Sequence, residues 1–230
     1  MKFSLVIPAY NEAENIGAVV KNLAAALRTS GDIFEIVAVD NGSTDDTPAE
    51  LQKLEQEIPE LRITRVFPNQ GYGNGILAGL QVAKGSILGW MHADNQVLPE
   101  DVVRVYRKLK DGDLDFCKAV RTNRDEHWVR VVQSGIYNEF FRLLFGGNLR
   151  DINGTPKLFR RELYEGLSLH SRDWFLDPEI VIKALHRGAN IGEVEIRWNM
   201  RPGGSSHVSS GTWLQFVKNM IKYKLGIGKE

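Results

Sequence analysis

Residues 88–96 read LGWMHADNQ, a stretch in which an apolar run ends abruptly in polar side chains. His92, Asp94 and Gln96 follow one another at a spacing of two residues. In an extended strand, residues at that spacing project to the same face. We therefore predict a buried strand that delivers three ligand-type side chains to its carboxyl end, the edge where open α/β sheets bind ligands. On spacing alone, an ordinary polar loop after a strand is an equal alternative.

The composition predicts a soluble globular protein with room for one large domain, because its 230 residues are 43% hydrophobic and 25% charged. Lys+Arg and Asp+Glu number 29 each, and a formal net charge of zero argues against general nucleic-acid binding. The single cysteine, Cys117, excludes an internal disulfide and fits a reducing compartment, where we expect a buried structural thiol. We find no secretory signal and no apolar stretch near the roughly 18 residues of a membrane span. We expect a cytoplasmic protein that can still lie on a membrane surface.

The first half of the chain alternates between strand-like and helix-like patterns. Short apolar runs at 2–8, 34–39 and 61–67 are each followed by a polar turn and then by helical periodicity. This alternation predicts an α/β fold with a mostly parallel, right-handed, doubly wound sheet. Asn11, followed three residues later by Glu14, predicts a capping box at the start of the first helix.

The second half has a different pattern. Residues 128–145 predict a helix whose apolar surface is wider than one buried stripe requires, and 211–225 predict a C-terminal helix flanked by lysines. Both helices fit a position in a bilayer interface. Ordinary core packing or dimer packing explains them equally well. Strand-like runs at 155–159 and 191–198 flank a helical pattern at 178–186.

Acidic residues follow the first two predicted strands, Glu12 after the first and Asp40 after the second. A carboxylate there can accept hydrogen bonds from a ribose hydroxyl or from the N–H groups of a base. The first turn reads PAYNEAEN and lacks the G-x-G-x-x-G fingerprint, which disfavours a dehydrogenase. The glycine-rich turn at 71–75, GYGNG, can approach a phosphate, or it is simply a tight turn before a helix.

The chain contains a series of motifs that begins with VIPAYNE, VDNGSTDDT, NQGYGNG and MHADNQ and continues with DINGTPKLFRREL, WFLDPEIVIKA and EVEIRWNMRPGGSSH. In this order and at these spacings, the series resembles the family 2 inverting glycosyltransferases with the GT-A fold. The later half is most similar to polyprenyl-phosphate sugar transferases of the dolichol-phosphate mannose synthase type. The resemblance covers nearly the whole chain. It implies a single GT-A domain at 1–230, with a nucleotide-sugar half at 1–120 and an acceptor-side half at 121–230.

The resemblance implies a binding site for a GDP- or UDP-linked sugar donor. The residues that it assigns to the donor are Pro8, Tyr10, Glu12, Asp40, Gly73 and Ala93. Asp40 would face the base. Asp94 and Gln96, together with position 92, would hold a divalent metal, Mn²⁺ or Mg²⁺, that bridges the donor diphosphate. A metal ion is needed there because negative charge develops on the departing diphosphate and has to be neutralised.

The resemblance also implies an acceptor site for a polyprenyl phosphate. Arg121 and Arg130 would contact donor or acceptor phosphates, for which the guanidinium fork is suited. Ser134, Arg201 and His207 would lie at the acceptor phosphate. For the later arginines, a solvated surface charge is the alternative.

Three positions depart from the family pattern. His92 stands where an acidic residue is usual; a neutral imidazole can ligate a metal and shifts the preference from Mg²⁺ towards Mn²⁺. The other interpretation is that His92 only hydrogen-bonds a phosphate. Asn153 stands where a serine is usual, and His207 where a lysine is usual. These two changes bear on the acceptor more than on the donor.

The need for a catalytic base separates two acceptor classes. Relatives that glycosylate a sugar hydroxyl use a carboxylate base, often with a Q-x-x-R-W motif that this sequence lacks. A phosphate monoester, whose second pKa is about 6, is already anionic at pH 7 and needs no base. We therefore predict a polyprenyl-phosphate acceptor. One alternative is a hydroxyl acceptor with Asp177 or Glu179 as the base, and another is a catalytically silent nucleotide-binding partner subunit. Glu179 is equally explained as a structural residue near a helix N-terminus, where the helix dipole favours an acidic side chain.

Overall fold

The computed structural model describes residues 2–122, 128–199 and 210–226, with side chains from 132 and from 215 onward in the helices that begin the last two ranges. The strands in these ranges are β1 (Lys2–Ala9), β2 (Ile33–Asp40), β3 (Leu61–Arg65), β4 (Ile87–Trp90), β5 (Phe116–Thr122), β6 (Lys157–Arg160) and β7 (Ile191–Arg197). The helices are α1 (Ala13–Arg28), α2 (Thr47–Glu57), α3 (Tyr72–Val82), α4 (Pro99–Asp111), α5 (Trp128–Phe145), α6 (Arg161–Leu167), α7 (Leu176–His186) and α8 (Ser210–Lys224).

The strands form one sheet in the order β3-β2-β1-β4-β6-β5-β7. β6 runs antiparallel to both of its neighbours, and the other pairings are parallel. The prediction of a mostly parallel α/β sheet is therefore confirmed. From β1 the chain builds outward through β2 and β3 and then returns to place β4 on the other side of β1. The boundary between β1 and β4 is thus a switch point, where turns that leave in opposite directions open a crevice.

Both faces of the sheet are covered by helices, so the strands carry nearly continuous apolar runs. Leu5 and Ile7 face a cluster that includes side chains of α1, α2 and α4. Val6, between them, faces the opposite cluster with Trp90, α3 and α7. Successive residues of a strand point to opposite faces, and this alternation puts Trp90, a fully buried side chain, directly behind the turn that follows β4.

Two local predictions are wrong. Asn11 does not cap α1, because its backbone has a φ of 54° and its side-chain oxygen accepts a hydrogen bond from Thr44 N at 2.8 Å; the residue before the helix is Glu12. The strand that should carry positions 92–96 ends at Trp90. These positions lie in the turn that follows, where Asn95 has a φ of 58°, so their spacing does not place them on one strand face. In addition, α6 was not predicted, because one short helix has too little periodicity to be recognised.

Cys117 lies on β5 with no exposed surface, and the predicted buried thiol is confirmed. Burial raises the pKa of the thiol to about 11, so Cys117 stays protonated at neutral pH. A buried protonated thiol behaves as a small apolar side chain.

α5 contacts α8, and the pair leaves large apolar side chains exposed. Leu143 on α5 is 81% exposed, and Ile136 on α5 and Ile221 on α8 are also open to solvent. Lys218 and Lys222 are exposed on α8, whose sequence contains no acidic residue. Among the helices described, none is long and apolar enough to cross a bilayer. We call the exposed parts of these two helices the α5–α8 surface.

The close approach of β4 and β6 yields a stability prediction. A Cβ added at Gly89 would lie 2.5 Å from the Lys157 carbonyl oxygen and 2.2 Å from a Leu158 methyl group. We expect Gly89→Ala to lower the free energy of unfolding by about 1–3 kcal/mol, because overpacking forces the backbone apart. Denaturant unfolding measures this difference.

Gly17, in the second turn of α1, is the matched control, because a Cβ there meets no atom within 4 Å. Gly17→Ala should raise the free energy of unfolding by about 0.5–1 kcal/mol through helix propensity. Equal effects of the two substitutions would contradict the predicted crowding at β4.

Candidate active site

The turns after β1 and β2 are bonded to each other at the carboxyl edge of the sheet. Asn11 N donates to Ser43 Oγ at 3.1 Å, and Glu12 N donates to Thr47 Oγ1 at 2.8 Å. Glu12 itself is buried, and its carboxylate accepts a hydrogen bond from Asn15 Nδ2 at 2.8 Å. These contacts hold the two turns as one rigid wall of the crevice.

Asp40 forms the polar floor of this wall. Its Oδ1 accepts a hydrogen bond from Ser43 N at 2.9 Å, and its Oδ2 lies 2.9 Å from Arg65 Nε in an ion pair without hydrogen-bond alignment. The Arg65 guanidinium also lies 5.1 Å from the centre of the Phe67 ring, which is 70% exposed. Asp40 is therefore oriented by a neighbouring cation, beside two flat groups that can face a planar ligand. Pro8 and Tyr10, both partly exposed, flank it on the β1 side.

The glycine-rich turn is shaped by protein contacts. A Cβ at Gly73 would lie 2.3 Å from the Ser171 carbonyl oxygen, and a Cβ at Gly71, whose φ is 100°, would lie 2.5 Å from the Arg172 carbonyl oxygen. Asn74 N donates to that same Arg172 oxygen at 3.0 Å. The space beside these glycines is thus filled by a segment from before α7, which explains why glycine is needed. A donor-binding role for Gly73 stays a prediction.

The turn after β4 holds His92 between two hydroxyl groups. Tyr72 Oη lies 3.0 Å from His92 Nε2, and Thr155 Oγ1 lies 3.3 Å from His92 Nδ1. The Tyr72 ring stacks on Trp174 with 4.1 Å between ring centres. Burial lowers the pKa of His92, and the imidazole is therefore neutral at pH 7. Ala93, the next residue, is buried.

Asp94 and Gln96 follow in the same turn. Asp94 Oδ1 accepts a hydrogen bond from Gln96 N at 3.2 Å, and Gln96 Nε2 donates to the Asn199 carbonyl oxygen at 2.9 Å. Gln96 thereby ties the turn after β4 to the residues that follow β7.

The predicted metal ligands offer a donor set of one carboxylate, one imidazole and one amide. In the part of the chain that the structure describes, no group of three or more His, Cys, Asp or Glu side chains is arranged to hold a metal ion. Because both nitrogens of His92 are within reach of hydroxyl groups, the imidazole would have to give up one of them to bind a metal. This donor set fits a divalent ion that takes much of its coordination from phosphate oxygens, with Asp94 as the anionic protein ligand.

Arg121, at the end of β5, is held in a fixed orientation. Its Nε and Nη2 donate to the two oxygens of Asp151 at 2.8 and 2.7 Å, and the guanidinium lies 5.0 Å from the centre of the Trp198 indole. Such a bidentate pair fixes the plane of the guanidinium. Ser134 is partly buried on α5. The side chain of Arg130 and the whole of Arg201 and His207 lie outside the described residues, so their roles stay predictions.

Asp177 lies behind the site in a buried ion pair. Its Oδ1 is 2.6 Å from Lys157 Nζ and accepts a hydrogen bond from Trp90 Nε1 at 3.2 Å. Lys157 Nζ also donates to the Gly154 carbonyl oxygen. Burial lowers the pKa of Lys157 to about 8 in spite of the attraction of Asp177, so the amine is still protonated at pH 7. Asp177 would have to leave this pair to act as a base, and that role stays a prediction.

Glu179, the other predicted base, has no exposed surface and accepts hydrogen bonds from backbone N–H groups before α7. Its role as a catalytic base also stays a prediction. Sequence reasoning missed several residues that shape the site, namely Arg65, Tyr72, Asp151, Lys157 and Trp174. Lys157 carried a signal of its own, because it is a lone cation inside the strand-like run at 155–159.

In the comparison with protein families, the model described as "Glycosyl transferase family 2" matches residues 4–167. An undecaprenyl-phosphate 4-deoxy-4-formamido-L-arabinose transferase from Serratia proteamaculans (strain 568) is 32% identical over 223 residues, which are 96% of this chain and 67% of that protein. The protein of the same description from Enterobacter sp. (strain 638) is 32% identical over 178 residues, which are 76% of this chain and 54% of that protein. The chain thus spans about half to two thirds of the length of these relatives.

Solved structures with a similar fold include glucosyl-3-phosphoglycerate synthase from Mycobacterium tuberculosis. Its complex with Mn²⁺, UDP and phosphoglyceric acid matches with a TM-score of 0.78 at 20% identity, over 100% of this chain and 80% of that one. Its complex with Mn²⁺, UDP and glucosyl-3-phosphoglycerate matches with a TM-score of 0.75 at 19% identity, over 100% and 81%. At this level of identity the likeness concerns the fold.

The ion pair behind the site yields a prediction for a double-mutant cycle. Lys157→Met should lower the free energy of unfolding by roughly 3–5 kcal/mol, because it leaves the buried carboxylate of Asp177 without a counter-charge. Combining it with Asp177→Asn should restore part of that loss, since the second change removes the uncompensated charge. Chemical denaturation of the four proteins measures the coupling. Additive losses would mean that the two residues do not stabilise the fold as a pair.

Proposed function

The chain belongs to glycosyl transferase family 2 and has the GT-A fold, and on that basis we propose that it transfers a sugar from a nucleotide-diphosphate sugar to a polyprenyl phosphate, with inversion at the anomeric carbon. The observation that carries this proposal is the gathering of three turns at one sheet edge. Asn11 contacts Ser43, Asn41 donates to the Gly71 carbonyl oxygen, and Tyr72 contacts His92, so the turns after β1, β2 and β4 surround one crevice and are joined through the glycine-rich turn. In this reading, 1–120 form the donor half and 121–230 the acceptor half of one domain.

The nucleoside would bind at the β1–β2 end of the crevice. Asp40, oriented by Arg65, presents a carboxylate that can accept hydrogen bonds from base N–H groups, and Pro8 and Tyr10 flank it. The exposed Phe67 ring offers a face on which a base can stack. UDP is the first nucleotide to test, because the solved structures with the same fold were obtained with UDP.

The diphosphate would bind at the β4 end, where Asp94 and Gln96, with His92, are the residues available to hold a divalent ion. Such an ion neutralises the charge that develops on the leaving diphosphate. The neutral His92 imidazole places one negative charge fewer at this end than the acidic residue usual in the family. The Tyr72 hydroxyl beside it can donate a hydrogen bond to a phosphate oxygen once the imidazole turns away.

The acceptor chemistry favours a phosphate over a hydroxyl group. An anionic phosphate oxygen attacks the anomeric carbon, the bond from that carbon to the diphosphate oxygen breaks, and the nucleoside diphosphate leaves with the electron pair. No proton has to be removed, so no carboxylate base is needed. Both candidate bases are buried and already bonded to cations, Asp177 to Lys157 and Glu179 to Lys183, which supports this choice. The names of the relatives, which act on undecaprenyl phosphate, support it further.

The acceptor phosphate would be held by Arg121, together with Arg130, Ser134, Arg201 and His207. Arg121 is suited to this task because Asp151 fixes its plane before any ligand arrives. We propose further that the α5–α8 surface contacts the membrane that carries the lipid, since it combines exposed apolar side chains with lysines and without acids on α8.

The first prediction for this function concerns the donor. UDP or GDP should stabilise the protein only with Mn²⁺ or Mg²⁺, by about 2.7 kcal/mol at 100 times the dissociation constant, and EDTA should remove the effect. Asp94→Asn should abolish the metal dependence, because it removes the anionic ligand. The exposed Asp111→Asn at the end of α4 is the control with the same change of charge. A thermal-shift series with each nucleotide measures both.

Nucleotide binding without sugar transfer would support the silent partner subunit instead. Absence of binding by UDP and GDP in every metal condition would contradict the proposed donor site.

The second prediction concerns the acceptor. Polyprenyl phosphate in vesicles should accept the sugar, and the matching polyprenol should not, because only the phosphate is anionic without a base. Arg121→Lys should lower kcat/KM for the phosphate acceptor roughly tenfold or more, since a lysine cannot make the two parallel hydrogen bonds to Asp151 that orient the cation. Arg107→Lys, at an exposed position of α4, is the control. Radiolabelled sugar transfer is the measurement.

The same assay tests the membrane contact. Leu143→Gln should reduce transfer to acceptor in anionic vesicles while leaving transfer to a short-chain, detergent-solubilised acceptor unchanged. Equal transfer to the polyprenol and its phosphate would favour the hydroxyl-acceptor alternative, with Asp177 or Glu179 as base.

A further inference from the structure

Glu179 lies in the first turn of α7 with its side chain completely buried. Its carboxylate accepts a hydrogen bond from Ser171 N at 2.8 Å and lies 3.2 Å from His170 N. Lys183, one turn later on the helix, places its Nζ 2.6 Å from the same carboxylate, and His170 Nδ1 lies 2.9 Å away. A buried charge is tolerated only with such a full set of partners. One carboxylate therefore holds the backbone that precedes α7, and we call residues 170–174 the clamp segment.

The clamp segment lies directly on the glycine-rich turn. The carbonyl oxygens of Ser171 and Arg172 occupy the space where a Cβ of Gly73 or Gly71 would be. Asn74 N donates to the Arg172 oxygen at 3.0 Å, so the first turn of α3 is bonded to the clamp segment. A shift of this segment by a few tenths of an ångström would change the position of the glycine-rich turn, because backbone meets backbone here.

The clamp segment also reaches the turn after β4. Its last residue, Trp174, stacks on Tyr72 at 4.1 Å, with an angle of 15° between the rings. The Tyr72 hydroxyl lies 3.0 Å from His92 Nε2. A continuous series of contacts thus leads from the buried carboxylate, through Trp174 and Tyr72, to the imidazole beside the proposed diphosphate site.

We propose that Glu179 is a positioning residue that sets the geometry of the donor site through the clamp segment. It acts on the position of Tyr72 and His92 and takes no proton from the acceptor. The proposal builds on the proposed function, since it assumes that the donor diphosphate binds beside His92. It replaces the role of Glu179 as a base with a role in donor binding.

The first experiment needs no ligand. Glu179→Gln keeps the size of the side chain and removes the charge that strengthens its hydrogen bonds. Amide hydrogen exchange should become roughly tenfold faster at Ser171 and also at Asn74, because the loss of a charge-assisted bond loosens the clamp segment and the turn that it holds. Glu165→Gln, which changes an exposed partner of Arg161 on α6, should leave both amides unchanged. Faster exchange at Ser171 with unchanged exchange at Asn74 would overturn the proposal.

The second experiment separates positioning from catalysis. With UDP and Mn²⁺ as the probe, Glu179→Gln should weaken binding roughly tenfold and raise KM for the donor, while kcat changes little. A catalytic base would behave in the opposite way, with kcat reduced by roughly 10²–10⁴-fold and binding of UDP unchanged. Trp174→Phe should bind like the unaltered protein because it keeps a ring on Tyr72, whereas Trp174→Ala should bind as weakly as Glu179→Gln.

Failures of the two proposals can be told apart. If the unaltered protein does not bind UDP or GDP, the proposed function fails, whereas the exchange rates still show whether Glu179 controls the glycine-rich turn. If Glu179→Gln cannot be purified, Lys183→Gln removes the counter-charge from a partly exposed position of α7 and should give the same pattern of exchange at a smaller amplitude. Unchanged exchange at Ser171 and Asn74 in Lys183→Gln would then overturn the proposal.

Discussion

The buried ion pair between Lys157 and Asp177 lies where β4, β6 and α7 meet, and the site depends on it. Two charges this deep in the protein are tolerated only when they face each other and when their remaining hydrogen-bonding capacity is used. Trp90 from β4 donates a hydrogen bond to Asp177, and Lys157 donates one to the Gly154 carbonyl group. The pair consequently fixes the antiparallel strand β6 against β4 and fixes α7 behind both. Thr155, just before β6, is thereby held next to the imidazole of His92.

The crevice is built from turns that are hydrogen-bonded to one another. Asn11 and Ser43 join the first two turns, Asn41 reaches the Gly71 carbonyl group, and Tyr72 reaches His92. Each link is a modest interaction, but together they leave few ways for one turn to move alone. Preorganisation of this kind reduces the ordering cost of binding a charged ligand. The turn at 71–75 contains glycines because its backbone lies in close contact with the backbone of residues 171–172.

The two ends of the crevice differ in charge. At the β1–β2 end, the buried Asp40 is paired with Arg65, whereas at the β4 end Asp94 shares its turn with the neutral His92. Arg121 adds a positive charge from β5, but this charge is paired with the carboxylate of Asp151. If a donor diphosphate binds at the β4 end as proposed, it would meet one fixed negative charge fewer than it would with an acidic residue at position 92. A histidine at position 92 therefore changes the charge beside the proposed diphosphate site. The property that this change would affect is the dependence of nucleotide binding on a divalent ion.

The sequence by itself determined the alternation of strands and helices, the mostly parallel sheet, the buried thiol of Cys117 and the membership of the family. These features follow from hydrophobic period and from motifs that are continuous along the chain. Only the tertiary structure decided that positions 92–96 lie in a turn beyond β4 and that Asn11 bonds Thr44 instead of capping α1. It also decided that Lys157 pairs with Asp177 and that Glu179 holds residues before α7. These contacts join residues from different elements, and their geometry depends on the order of the strands in the sheet, which no local sequence pattern records.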